Sequence, residues 1–224
     1  MRTDGPMSFA KKRKITKIAA QKGNSRRMSI YLDDRFALGV DAQVAEELGL
    51  RQGLELSQAE LQKVILAEET SKAKSFALDF IGYRARSVWE VDQRLTKRGH
   101  SRKVIDEVIG ELRRSGLLDD AHFAAQWAKG RMATKPLGER LLRHELKTKG
   151  ISDEIVEKTI AATFDGISQR NLAAELLRLR RTRYLSLDWA KARRRMSDFL
   201  LRRGFSRDVV WEAVAQVMSE GNWD

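Results

Sequence analysis

The stretch RLTKRGHSRKVIDEVI, residues 94–109, decides how the chain is read. Leu95 lies four residues before Gly99 and Val91 eight before it, a spacing that puts both on one face of an incoming helix. Gly99 supplies the left-handed conformation that ends this helix. Ser101 then offers an oxygen to the free N–H groups of a second helix, whose apolar face is Val104, Ile105, Val108 and Ile109. The same corner returns as ELKTKGISDEIVEKTI (145–160) and FLLRRGFSRDVVWEAV (199–214), with Gly99, Gly150 and Gly204 spaced 51 and 54 residues apart. Leu146 and Leu200 match Leu95, Leu142 and Met196 match Val91, and Ser152 and Ser206 match Ser101. Repeats of this period build modules that cover one another's apolar faces.

The pattern predicts a mainly α fold of tandem three-helix repeats forming an elongated, curved rod. FAAQW (123–127) and LAAEL (172–176) read as third helices following the first two corners, their alanines allowing close contact. Each repeat's apolar stripe is used by its neighbours, which points to a monomer. A small β-rich module precedes the repeats. Met28, Ile30 and Leu32, then Phe36, Leu38 and Val40, alternate around Asp33–Asp34 as a hairpin with one buried face. Ile15, Ile18 and GLEL (53–56) are weaker strand candidates, a short helix over 41–48 starts at Asp41, and Ser57-Gln-Ala-Glu60 is a capping box. The expected division is a basic arm and hairpin module over 1–56, a connecting helix over 57–86, and repeats over 87–131, 132–184 and 185–224, the last truncated.

With 224 residues and 42% hydrophobic content the chain has a sizeable core. It has no cysteine, so disulfides, thiolate metal sites and cysteine nucleophiles are excluded and the cytoplasm is the default compartment. No apolar run reaches the ~20 residues that span a bilayer, so a membrane role is not expected. The formal charge of +12 attracts polyanions. Residues 168–208 alone carry twelve Lys and Arg against four acids, in RLRRTRY (178–184) and KARRR (191–195). So few acids leave self-repulsion uncompensated, and an anionic partner, nucleic acid above all, is the economical reading.

Catalytic readings fare poorly. Asp119–Asp120 and Asp33–Asp34 read as a helix cap and a turn. His100, His122 and His144 lack ligand spacing, and there is no glycine-rich phosphate loop, so neither enzyme chemistry nor a cofactor is expected. Tyr83 and the tryptophans at 89, 127, 189, 211 and 223 read as packing residues. A glycine-cornered helix pair also fits a sequence-specific helix-turn-helix transcription factor.

ALDFIGYRARSVWEVDQRLTKRGHS (77–101), VIDEVIGELRRSGLLDDAHFAAQWAKGR (104–131) and KPLGERLLRHELKTKGIS (135–152) resemble the RecX family of bacterial recombination regulators, and YLDDRFALGV with LGLRQGLELS (48–57) is similar to the N-terminal extension of its longer members. The resemblance implies a non-enzymatic protein of tandem three-helix repeats. Such a protein binds in the groove of the RecA–DNA filament, inhibits RecA and so damps recombination and the SOS response. It would meet single- and double-stranded DNA without strong sequence preference. The resemblance carries no short catalytic motif, so contact residues follow from charge alone: Arg84, Arg86, Lys97, Arg98, Arg140, Arg143, Lys147, Lys149, Arg178, Arg180, Arg181, Arg183, Arg193, Arg194, Arg202 and Arg203. Lys11–Lys14 is expected to form a basic arm that adds DNA affinity.

Overall fold

The structure, a computed structural model, describes residues 12–21 and 23–220. It divides into two units: residues 1–84 with 92–114, and residues 85–91 with 115–224. In the first, β1 (Arg13–Gln21), β2 (Asn24–Leu32), β3 (Arg35–Asp41) and β4 (Glu55–Leu56) form an antiparallel sheet of order β3-β2-β1-β4. Asp33 and Asp34 both take positive φ, 51° and 65°, the conformation a two-residue hairpin needs to match strand twist. Arg13 and Lys14 open β1 rather than extending an arm, and Arg13 Nε donates to Asp33 at 3.0 Å; Lys11 lies outside the described residues.

The expected alternation holds on β2, where Ile30 and Leu32 are buried, and at Val40 of β3. It fails at Phe36. A register irregularity between Ile30 and Tyr31 turns Phe36 to the outer face, edge-on to Tyr31 and 59% exposed. Asp41 caps α1 (Ala42–Glu47), and the reciprocal Ser57–Glu60 box opens α2 (Gln58–Gly82). The start of α2 covers the sheet through Val64. Buried Glu68 ties the two together, accepting from Arg27 at 2.8 Å and the Asp41 N–H at 2.7 Å while pairing with Lys72.

The remaining helices are α3 (Val88–Lys97), α4 (Arg102–Arg114), α5 (Asp120–Thr134), α6 (Glu139–Thr148), α7 (Asp153–Phe164), α8 (Gln169–Arg178), α9 (Trp189–Arg202) and α10 (Arg207–Ser219). None is long and apolar enough to cross a membrane. Helix α2 packs on α4, α5 on α7 and α8 on α10, so each trio consists of one helix followed by its cornered pair. FAAQW and LAAEL therefore lead into the second and third corners instead of following the first and second. Phe123, Ala124 and Ala128 pack with Leu142, Leu146 and Ile160; Ala173, Ala174 and Leu177 pack with Met196, Leu200 and Val214.

All six stripe residues, Val91, Leu95, Leu142, Leu146, Met196 and Leu200, are 0% exposed. Gly99, Gly150 and Gly204 have φ of 83°, 72° and 84°. After each, the next N–H reaches back to the leucine four before the glycine: His100 to Leu95, Ile151 to Leu146, Phe205 to Leu200, at 3.4, 3.2 and 3.2 Å. Ser101 and Ser206 accept from Val104 and Val209 N–H as expected; Ser152 occupies the cap position without a side-chain bond.

Within the second unit, two corners receive the first turn of a preceding helix. The Ser87 hydroxyl donates to the Lys149 carbonyl at 2.7 Å, and a Cβ on Gly150 would fall on the Trp89 side chain. The Gly138 N–H donates to Arg203 O at 2.9 Å, the Arg140 N–H to Gly204 O at 3.1 Å, and a Cβ on Gly204 would fall on Leu141. Ser87 and Gly138 stand twelve residues before their own corner glycines, so one docking rule is used twice.

Three glycine variants separate the two demands. Gly99, with nothing within 4 Å, tests conformation alone; Gly138, at φ −84°, tests contact alone; Gly204 combines both. In urea melts Gly99→Ala is expected to cost about 1 kcal/mol and Gly138→Ala about 1–3 kcal/mol. Gly204→Ala should cost more than either. Acid dependence follows from two carboxyls held below the usual 4.5, Glu157 by hydrogen bonds from Arg143 and Glu220 by those from Arg178. A lowered carboxyl stabilises in full above its ordinary value and ceases to as pH falls through the lowered one. The melting temperature should therefore hold down to about pH 5 and fall below about pH 4, with Glu157→Gln and Glu220→Gln each making that fall shallower.

Candidate nucleic-acid interface

The structure sorts the sixteen cationic candidates by what they already touch. Four are neutralised. Arg143 forks onto Glu157 at 2.8 and 2.9 Å, and Arg178 onto Glu220 at 2.9 and 2.7 Å; both guanidiniums are pushed above their ordinary value by these bonds. Lys147 pairs with Asp153 at 2.7 Å, and Lys149 with Glu90 at 2.9 Å beneath the Trp127 ring. Arg84 and Arg86, between α2 and α3, are also engaged within the molecule. The other ten, Lys97, Arg98, Arg140, Arg180, Arg181, Arg183, Arg193, Arg194, Arg202 and Arg203, pair with no carboxylate among the described residues.

Seven of those ten lie between α8 and Arg203, the residue that caps α9, and the local fold explains why several meet. After α8 the chain makes a single 3-10 turn, Arg181–Arg183, which sends Tyr184 into the core beside Ala192 and Met196. Burial raises the Tyr184 hydroxyl pKa, and the nearby positive charges of Arg180, Arg183 and Arg202 oppose that rise. Arg180 lies over the Phe199 ring at 4.4 Å and Arg203 over the same ring at 5.3 Å. Arg203 also donates to the Pro136 carbonyl at 2.8 Å. Its guanidinium falls below its ordinary value through burial first, then through the charges of Arg180 and Arg131. Like charges are thus gathered around one aromatic ring and one buried phenol.

An isolated surface arginine is a weak signal; converging guanidiniums without carboxylates are stronger, because each raises the cost of keeping the others unneutralised. A phosphate or carboxylate group entering here would relieve that repulsion and find forked donors. On the first unit, Arg98 lies over Phe76 at 3.9 Å, and Arg94, absent from the sequence expectation, is shared between Phe76 and Phe80. Charge counting also missed Arg131, which forks onto Glu145 yet contributes to the field at Arg203. The signal was spatial, since 49 residues separate Arg131 from Arg180.

The aromatic expectations divide. Trp127 does pack, stacking on Phe123 and donating to Glu145 at 2.9 Å. Tyr83, Trp189 and Trp211 are instead 89%, 50% and 66% exposed; Trp223 lies outside the described residues. Tyr83 follows the last turn of α2 and has no helix face to bury it.

Comparison with known proteins accounts for each part of this architecture. Residues 13–57 match the regulatory protein RecX N-terminal domain, and residues 73–112, 119–160 and 169–214 match the first, second and third RecX three-helix domains. A regulatory protein RecX from Bacillus subtilis (strain 168) is 35% identical over 211 residues, covering 94% of this chain and 79% of the relative. One from Bacillus velezensis is also 35% identical, over 93% and 79%. A crystal structure of a regulatory protein RecX superposes with a TM-score of 0.73 at 24% identity, over 93% of this chain and all of the other. That of RecX from Lactobacillus salivarius superposes with a TM-score of 0.61 at 25% identity, over 68% and 99%. With all four of its domains matched in order, the chain belongs to the RecX family of regulatory proteins.

Proposed function

We propose that this chain is a non-enzymatic regulator of homologous recombination and the SOS response, binding the RecA–DNA filament in the cytoplasm as a monomer and inhibiting RecA. What supports this reading most is the set of ten cationic side chains without carboxylate partners among the described residues, seven of them between α8 and the α9 cap Arg203. A filament offers such groups both phosphate and acidic protein surface, and a long groove suits a chain of modules that dock by one repeated rule. In this division the modules are the hairpin sheet with α1, then α2–α4, α5–α7 and α8–α10, the last presenting the densest charge.

DNA is held through phosphates rather than base edges. The transcription-factor reading would place a second helix of a corner in the major groove; α7, which begins with Asp153 and Glu154, is poorly suited to that role.

RecA ATPase on single-stranded DNA, titrated with this protein well below one copy per recombinase, is expected to fall and not to recover on adding free DNA competitor. An unchanged rate at equimolar protein would reject the reading. Free DNA binding should show a log–log salt slope of about −5 for roughly six phosphate contacts on duplex, with little preference among sequences. Charge reversal of Arg180, Arg181 and Arg183 together should lower filament affinity at least about ten-fold while circular dichroism is unchanged. The same reversal at the already neutralised Arg143 and Arg178 should cost less affinity and more stability.

A further inference from the structure

Counting from the corner glycine, the helix pairs of the three modules can be compared position by position. Seven before and seven after stand Asp92 and Asp106 in the first, and Arg102 bonds both, closing the seam between α3 and α4. In the second they are Arg143 and Glu157, a forked pair, and the positions three before and three after carry a second pair, Lys147 with Asp153 at 2.7 Å. In the third the same four positions hold Ser197, Trp211, Leu201 and Arg207. Among the described residues no ion pair spans this seam, and a groove of about 620 Å³ opens between α9 and α10.

Its composition argues for a definite occupant. Trp189, Leu201 and Trp211 stand at its mouth, 50%, 42% and 66% exposed, an apolar concentration that water alone does not explain. Val210, Val214 and Met218 form the floor, and among the described residues Arg193 and Arg207 are the charged side chains of the lining, with no carboxylate. Arg193 covers the Trp189 ring at 5.3 Å. A nucleobase inserted to the floor would press its hydrogen-bonding edge against Val210 and Val214, which offer neither donor nor acceptor, at a desolvation cost. An amphipathic helix has what the groove lacks, apolar side chains at helical spacing for the floor and acids for the two arginines. We propose that the α9–α10 groove docks an acid-flanked amphipathic segment of a protein partner, separately from the arginine cluster that meets phosphate. Taking the recombinase as that partner rests on the function proposed above.

The variant Ser197→Arg/Trp211→Glu writes the second module's ion pair into the third and leaves net charge unchanged, so phosphate binding should not respond. DNA-free RecA and fluorescent oligo(dT) are titrated separately against wild type and variant, with circular dichroism as the check on folding. Affinity for RecA should fall at least about ten-fold while that for oligo(dT) stays within about two-fold. Loss of oligo(dT) affinity with RecA binding intact would overturn the proposal in favour of base stacking on the indoles; no change in either would overturn it outright. If the wild-type chain fails to bind RecA, the function reading falls. The groove is then judged with a designed helical peptide carrying leucines every three to four residues between glutamates, followed by tryptophan emission. A blue shift with wild type but not with the variant supports the groove, and no shift with wild type rejects it.

Discussion

A glycine at each helical corner meets two demands, and the second unit is organised by the stricter one. Positive φ is required wherever a helix ends in this way, and all three corner glycines have it. Close approach is required only at Gly150 and Gly204, where Trp89 and Leu141 of a preceding helix occupy the space a Cβ would take. The approach brings the Ser87 hydroxyl to the Lys149 carbonyl and the Gly138 N–H to the Arg203 carbonyl, so acceptors freed at the end of one helix are satisfied by the start of another. Helix termination and module docking are therefore a single event.

Magnitudes decide which interactions set the fold and which tune its surface. Each fully buried stripe residue contributes about 1.5–3 kcal/mol, and six are entirely buried. A surface ion pair such as Arg143–Glu157 contributes about 0–1 kcal/mol. The chain can thus place its carboxylates where charge management requires them without endangering the fold. It neutralises cations along α6 and at the end of α8 while leaving Arg180, Arg183, Arg202 and Arg203 uncompensated around Phe199 and Tyr184. Gathering like charges costs stability in the free protein, and a polyanion bound there removes that cost.

The corners, stripes, caps and hairpin turn were legible because each is local: a glycine, a leucine four residues earlier and a serine two residues later specify one another within a single turn. Phe36 was not, because a bulge shifts the alternation by one residue and no local signal marks it. Nor was the order of the trios. LAAEL has the small residues a third helix needs, but whether it packs on the corner before or the corner after depends on contacts 40 residues away, with α10. Among the cationic candidates, charge density pointed to the α8–α9 segment. It could not separate Arg178, forked onto Glu220 at the far end of α10, from Arg180 two residues on, which lies over the Phe199 ring.

The third module departs from its siblings where departure costs the fold least. Positions seven from the corner glycine lie on the solvent side of the seam, so replacing their ion pair sacrifices little stability, whereas the stripe positions four and eight before the glycine are kept apolar in all three copies. What fills the vacated positions is the informative part. Serine and tryptophan together neither close the seam nor solubilise it; they open a groove and line its mouth with an indole two-thirds exposed. Exposed aromatic surface carries a standing penalty in water, and Trp189 shares it from the other side of the same groove. On a module that already gathers uncompensated guanidiniums around Phe199 and Tyr184, this second surface, apolar on its floor and cationic through Arg193 and Arg207, would under the two proposals let nucleic acid and a protein segment engage mostly different residues.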